Sequence, residues 1–271
     1  MNYVGVVGAL SSLGKGVISC LEKYSSEYRV VFKVDDRYPR KDLIKGEFQN
    51  LEQVLSHGIN PSLVLDFGIS NKMFERAKFY RGYGIPAIMQ TIFGEERCHV
   101  LENSRGLSQN SSAPLILIPE FSVIKVSMVN HLKVLSEYLA HDVQRIHIDV
   151  LYNTERYINF NQWLYWAYQL NEVLGEYTKM YRQDGCTLTC GYVHYGFMQI
   201  SSMEKNEENI HIQVITEDND VPFRCETRYN LLKSRIDGVM KTLRWYIDHC
   251  QGKTLVGTKN NLLKDTLSTL I

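Results

Sequence analysis

The order of events in the first forty residues constrains this chain more than any other feature. An apolar run, Val4-Gly5-Val6-Val7, meets Gly8 and the small residues Ala9, Ser11 and Ser12, and a helical pattern begins near Gly14. A second apolar run, Val30-Val31-Phe32-Lys33-Val34, then ends in Asp35-Asp36-Arg37. Strand, glycine turn, helix, strand and a terminal acid roughly twenty residues beyond the turn form the order of a βαβ unit that holds a dinucleotide. The glycine lets backbone approach a pyrophosphate, the helix N-terminus faces it with amides and partial positive charge, and the acid accepts from ribose hydroxyls. A glycine turn opening an ordinary α/β domain is the plainer alternative. The terminal acid tips the reading toward nucleotide binding.

The glycine spacing departs from the usual pattern. Its three positions fall at Gly8, Leu10 and Leu13, so Gly8 alone matches, and Gly14 comes one place late. Gly8, Ser11, Ser12, Leu13 and Gly14 are the candidate phosphate-side residues, with Asp36 and Arg37 at the adenosine ribose. Asp35 and Asp36 suit a free 2′-hydroxyl and so NADH, whereas Arg37, followed by Arg40 and Lys41, suits the 2′-phosphate of NADPH. Both nucleotides stay open at this point.

Composition narrows the partners. Lysine plus arginine equals aspartate plus glutamate, 30 against 30, without a basic cluster. Nucleic acid and anionic membranes are therefore excluded as the main partner, and a small molecule is expected instead. No run approaches the ~18 uncharged apolar residues of a membrane-spanning helix. The sequence enters a strand at once rather than a basic, then apolar, leader, so a cytoplasmic protein with reduced thiols is expected. The six cysteines are scattered. Cys186 and Cys190 share a strand face, but no histidine pair completes a zinc pattern, and no metal is expected.

Along the chain, strands at 3–7, 29–34, 62–67, 87–91 and 115–118 alternate with helices at 14–24, 51–57 and 71–83, with a polar stretch at 103–113. Repeating βα units of this length imply a doubly wound parallel sheet. The character changes after residue 120. A helix at 123–139 leads to an alternating strand at 145–152 and a long helix at 161–181. Strand-like runs follow at 187–201, 210–216 and 221–225, then an amphipathic helix at 234–250. The reading is a nucleotide domain over 1–120, an inserted α+β domain over 121–236 on an open, mostly antiparallel mixed sheet, and a return to the first domain over 237–271.

Several segments resemble the dihydrodipicolinate reductase family, whose members transfer a hydride from a nicotinamide to a cyclic dihydropyridine-type acid. Val64-Leu65-Asp66-Phe67-Gly68 is similar to the family's I-D-F-T strand end beneath the nicotinamide ribose. Gly84-Ile85-Pro86-Ala87-Ile88-Met89-Gln90-Thr91 resembles its G-x-P-x-V-x-G-T-T segment, with Gln90 and Ile92 in place of a glycine and a threonine. Pro119-Glu120-Phe121-Ser122-Val123 resembles the A-x-N-F-S-x-G crossover, and Gly238 to Trp245 matches the spacing of the last helix. The resemblance implies a Rossmann-type domain with an inserted α+β domain and an NADH or NADPH cofactor. It places Phe67, Gln90, Thr91 and Phe121 at the nucleotide, and implies a homo-oligomer, a tetramer built through the second-domain sheets.

One departure bears on the chemistry. After the first strand of the second domain the family carries H-H-x-x-K-x-D-A-P-S-G-T, which supplies its proton-donating pair and its carboxylate cradle. This chain reads Val150-Leu151-Tyr152-Asn153-Thr154-Glu155-Arg156-Tyr157-Ile158-Asn159-Phe160-Asn161. Tyr152 or Glu155 is then the candidate proton donor and Arg156 the candidate grip on a substrate carboxylate. Asn159 and Asn161 are candidate caps presenting amides to an anion. In the aromatic stretch that follows, Phe160, Trp163, Ala167 and Leu170 fall at core spacing. Tyr165 and Trp166 lie off that stripe as pocket or subunit-contact candidates. His194 and Lys125 are read first as a sheet-face histidine and an exposed helix lysine, and Arg228 resembles the family's T-S-R arginine but lies four residues too far from Gly238.

Overall fold

The computed structural model describes residues 1–38, 46–68, 72–90, 113–118, 120–139, 143–153, 182–204, 206–216, 218, 221 and 223–250, and between 163 and 174 only Trp163, Trp166, Ala167, Leu170, Asn171 and Leu174. The chain divides into two units, Met1–Phe121 with Arg235–Ile271, and Ser122–Ser234.

The first unit is built on six parallel strands: β1 (Asn2–Val7), β2 (Tyr28–Val34), β3 (Glu47–Phe48), β4 (Leu63–Asp66), β5 (Ala87–Gln90) and β6 (Leu115–Ile118). Their order is β3-β2-β1-β4-β5-β6, so the direction of winding reverses between β1 and β4. Helices α1 (Ser12–Lys23), α2 (Leu51–Ser56) and α3 (Met73–Gly82) join them. Coverage on both faces explains the unbroken apolar runs, and Val4, Val6, Val64 and Leu65 are wholly buried. Helix α1 buries Leu13, Val17, Ile18 and Leu21 at helical spacing, each side chain contributing about 1.5–3 kcal/mol. It starts at Ser12, two residues before the sequence signal, because Ser11 caps it. Ser11 stays extended (φ −66°, ψ 157°) and its hydroxyl accepts the Gly14 amide.

The second unit holds α4 (Val123–Leu139) and β7 (Val143–Tyr152), followed by β8 (Arg182–Asp184), β9 (Thr187–Cys190), β10 (Val193–Gln199), β11 (Glu207–Thr216) and β12 (Phe223–Asn230). The sheet runs β12-β11-β7-β10-β9-β8. It is mixed, since β7 and β10 are parallel while its other pairs are antiparallel. The single run read over 187–201 is two strands, because Gly191 takes φ +54° and turns the chain in a two-residue hairpin closed by Cys190 and Val193. Asn171 seals that turn, donating to the Cys190 carbonyl at 2.7 Å and accepting the Tyr192 amide at 2.9 Å. One face of the sheet is apolar, with Ile146, Ile148, Val150, Tyr195, Phe197, Ile210 and Ile212 buried on alternate positions. Tyr195 donates its hydroxyl to the Trp163 carbonyl at 3.1 Å.

The last helix, α5 (Leu231–His249), begins three residues before the expected 234. Where the chain leaves and re-enters the first unit, Glu120 accepts two bonds from Arg235, both 2.8 Å. Among the described residues no helix is long and apolar enough to cross a membrane.

Two glycines mark the tolerances of this packing. Gly238 in α5 lies so close to the Phe121 carbonyl that an added Cβ would overlap it, and backbone cannot rotate away. Gly82, at the end of α3, has open space around it. Gly238→Ala is expected to destabilise by about 1–3 kcal/mol and Gly82→Ala to be neutral or to stabilise by up to about 1 kcal/mol, both read by urea unfolding.

Candidate functional site

The glycine turn between β1 and α1 is closed by its own backbone. Gly8 takes φ +74°, and a Cβ there would fall 2.9 Å from the Gly68 nitrogen and the Phe67 carbonyl carbon. The Gly8 and Ala9 amides donate to the Val34 carbonyl (2.9 and 3.2 Å), and the Leu10 amide donates to the Asp35 carboxylate (2.9 Å). The Ser11 amide and hydroxyl both donate to the Gly8 carbonyl, at 3.0 and 2.7 Å. The Ser11 hydroxyl also accepts the Gly14 amide at 2.9 Å. By helix geometry this leaves the Ser12 and Leu13 amides as first-turn donors without an intrahelical acceptor. Leu13 offers only its backbone, since its side chain is core. Gly14 sits flush on the Gly8 carbonyl, where a Cβ would collide. The glycine one place late in the motif thus provides the close approach of helix to turn.

At the end of β2 the two aspartates separate. Asp35 is buried and its side chain is 3 % exposed. Besides the Leu10 amide it accepts the Arg37 amide (3.2 Å), Arg37 Nε (2.7 Å) and Arg37 Nη2 (2.8 Å). Burial works against its charge, but the Arg37 guanidinium and the two amides outweigh it and hold the carboxyl below its ordinary range. Asp36 is exposed. Asp36 is therefore the exposed carboxylate of the pair, while Asp35 orients Arg37.

These groups meet in a cavity of about 510 Å³. Gly8, Ser11, Asp36, Arg37 and Phe67 line it, together with Asn50, Leu51, Lys72, Glu75, Arg76 and Phe79, which the sequence did not single out. A signal for two of them existed. Asn50 caps α2 by accepting the Gln53 amide at 3.0 Å, and Asp66 ends a buried strand where a carboxylate requires a cation such as Arg76. Phe67 rests edge-on against Phe121, with ring centroids 5.9 Å apart. Gln90 is buried at the end of β5, beside Ile118. Thr91 lies outside the described residues.

In the second unit Tyr152 ends β7, is 6 % exposed and pairs across the ladder with Glu208. Trp166 is buried with the core stripe of Trp163, Ala167 and Leu170 rather than standing apart from it. Glu155, Arg156, Asn159, Asn161 and Tyr165 lie outside the described residues. Lys125 differs most from the expectation of an exposed lysine. It is 3 % exposed, its Nζ lies 3.0 Å from Glu208 Oε2, and it sits 4.2 Å above the Trp163 ring. The Tyr229 hydroxyl donates to the same Glu208 oxygen. His194 is half-buried on the other face beside His147, and burial, then Arg145 and His147, push its imidazole down. Arg228 is exposed and pairs with Glu207 at 2.6 Å. Among the described residues no cluster of His, Cys, Asp or Glu is arranged to hold a metal ion.

The Asp35 carboxyl is depressed in the folded state. Its contribution to stability is therefore full above the ordinary carboxyl value of 3.8 and is lost as pH falls through the lower folded value. Asp35→Asn is expected to destabilise by about 1–3 kcal/mol at pH 7, with the gap to wild type closing below pH ~4 in urea unfolding.

No protein-family profile and no curated sequence matches this chain. Solved structures match along nearly its whole length. A dipicolinate-bound dihydrodipicolinate reductase from Paenisporosarcina sp. TG-14 shares 14 % identity at a TM-score of 0.67, covering 92 % of this chain and 95 % of that one. GenD2 from gentamicin A biosynthesis, in complex with NAD, shares 12 % at 0.60, covering 99 % and 92 %. Apo scyllo-inositol dehydrogenase from Lactobacillus casei shares 11 % at 0.60, covering 100 % and 93 %. At these identities the likeness establishes a fold, and the fold is of dihydrodipicolinate-reductase type.

Proposed function

We propose that this chain is a cytoplasmic NAD(P)H-dependent reductase that transfers a hydride to a C=N or conjugated C=C bond of a small carboxylated substrate. The observation that carries this reading is the cavity where the Gly8 turn, the capped start of α1, the acidic end of β2 and Phe67 meet. A dihydrodipicolinate reductase holding dipicolinate and a GenD2 holding NAD, both on this fold, support it. A dinucleotide bound there supplies the hydride. The Ser12 and Leu13 amides hold its pyrophosphate, Asp36 its adenosine ribose, and Phe67, Phe121, Gln90 and Thr91 its nicotinamide end. Arg156 is assigned the grip on the substrate carboxylate, and Asn159 and Asn161 the amides that face it, whereas Trp166 is given to the core of the second unit. When the hydride reaches carbon, the neighbouring nitrogen or carbon takes a proton from Tyr152 or Glu155. The resemblance adds a homo-oligomer joined through the second sheet.

Charge favours NADH over NADPH. Asp35, Asp36, Glu52 and Glu75 line the cavity against Arg37, Lys72 and Arg76. Arg37 is already matched by Asp35 and Arg76 by the buried Asp66. A 2′-phosphate would add negative charge to a cavity rich in it. A second reading, a nucleotide-binding sensor without turnover, rests on the absence of the H-H-x-x-K and S-G-T motifs between Val150 and Asn161.

Titration followed by energy transfer from tryptophan to reduced nicotinamide is expected to give micromolar binding of NADH and weaker binding of NADPH. Asp36→Ala should lower NADH affinity about tenfold and narrow the difference between the two. Binding of neither nucleotide contradicts the proposal. With cyclic imino acids as acceptors, Arg156→Ala and Tyr152→Phe should abolish turnover with NADH affinity intact, whereas a wild type inert toward every acceptor favours the sensor.

A further inference from the structure

The carboxylate at the end of β4 is tied into a network that the nucleotide contacts above do not use. Asp66 is wholly buried and accepts the Gly68 amide (2.9 Å), the Tyr80 hydroxyl (2.9 Å) and Arg76 Nε (2.7 Å). Arg76, one turn into α3 with a side chain 14 % exposed, also donates through Nη2 to the Gly68 carbonyl. One planar guanidinium therefore bridges the strand-end carboxylate and the carbonyl two residues further on, and fixes the intervening Phe67-Gly68 backbone. This is the backbone that meets the glycine turn, with the Gly68 nitrogen and Phe67 carbonyl carbon at the limit of approach to Gly8. A Cβ on Gly68 would come 3.0 Å from Arg76 Nη2 and 3.1 Å from Asp66 Oδ1, so the loop is closely packed on the arginine side as well. The Phe67 ring is held in turn against Phe121, and Arg76 lines the same cavity as Gly8 and Phe67.

We infer that Arg76 is a positioning residue of the dinucleotide site, holding Phe67 and Gly68 against the Gly8 turn so that the cavity keeps the width a nucleotide requires. The inference rests on the proposed nucleotide binding. Charge neutralisation of Asp66 alone would be met by any cation. Bridging to the Gly68 carbonyl needs the guanidinium fork, which a lysine ammonium cannot reproduce.

Two variants separate these roles. Arg76→Lys keeps a positive charge beside Asp66 but removes the fork. Asp66→Asn combined with Arg76→Gln removes both charges together, so that no buried carboxylate is stranded. Thermal unfolding and NADH titration are measured on the wild-type chain and on both variants. Each variant is expected to unfold within about 4 °C of wild type and to bind NADH about tenfold more weakly. Wild-type affinity in the folded lysine variant overturns the inference. So does wild-type affinity in the double variant, because that pattern confines Arg76 to neutralising Asp66. A wild-type chain that binds neither NADH nor NADPH overturns the nucleotide reading itself, and the inference falls with it.

Discussion

The Gly8 carbonyl is the point on which the first unit's crevice depends. It accepts both the amide and the hydroxyl of Ser11 and lies directly under Gly14, so one oxygen sets where α1 begins and how near it stands to β1. The surrounding amides are consumed in joining the turn to β2, through the Val34 carbonyl and the Asp35 carboxylate. What is left unsatisfied is confined to the first turn of α1, at the place where an open α/β sheet changes its direction of winding. That is where ligands bind in folds of this kind.

A second regularity runs along the same edge of the sheet. Asp35 follows β2, Asp66 closes β4 and Glu120 follows β6, and all three are buried. Each carboxylate is held by an arginine, Arg37, Arg76 and Arg235 respectively. Burying such acids singly would be costly, and pairing each with a guanidinium satisfies its charge while stiffening the loop it belongs to. The strand ends are thereby made electrically quiet. The field at the crevice then comes from the start of α1 and from Asp36, Glu52, Glu75 and Lys72 on its lining, which suits a ligand with a phosphate at one point and hydroxyls at another.

The parallel sheet was legible because strands covered on both faces read as unbroken apolar runs, three of them ended by Gly8, Asp35 and Asp66. Gly8 and the tandem Asp35-Asp36 were legible for the same reason, since the chemistry lies at strand ends. What escaped was non-local or too short. Strand β3 is two residues and β8 is three exposed polar ones, and neither length carries a period. The sequence placed Asp36 and Arg37 together at the ribose, and it carried no sign that Arg37 would fold back onto Asp35. Lys125 read as an exposed helix lysine because its partner Glu208 and the Trp163 ring lie far along the chain. Trp166, off the apolar stripe of its own segment, is nonetheless buried, which periodicity within the segment does not reveal.

Amide hydrogen exchange with and without saturating NADH tests the central claim most directly, because it reports on named backbone groups. Added protection is expected at Ser12 and Leu13 and across Phe67 and Gly68, with the interior of the second sheet, at Ile148 and Ile212, unchanged. Unaltered exchange at Ser12, Leu13 and Gly68 in the presence of the nucleotide would contradict it.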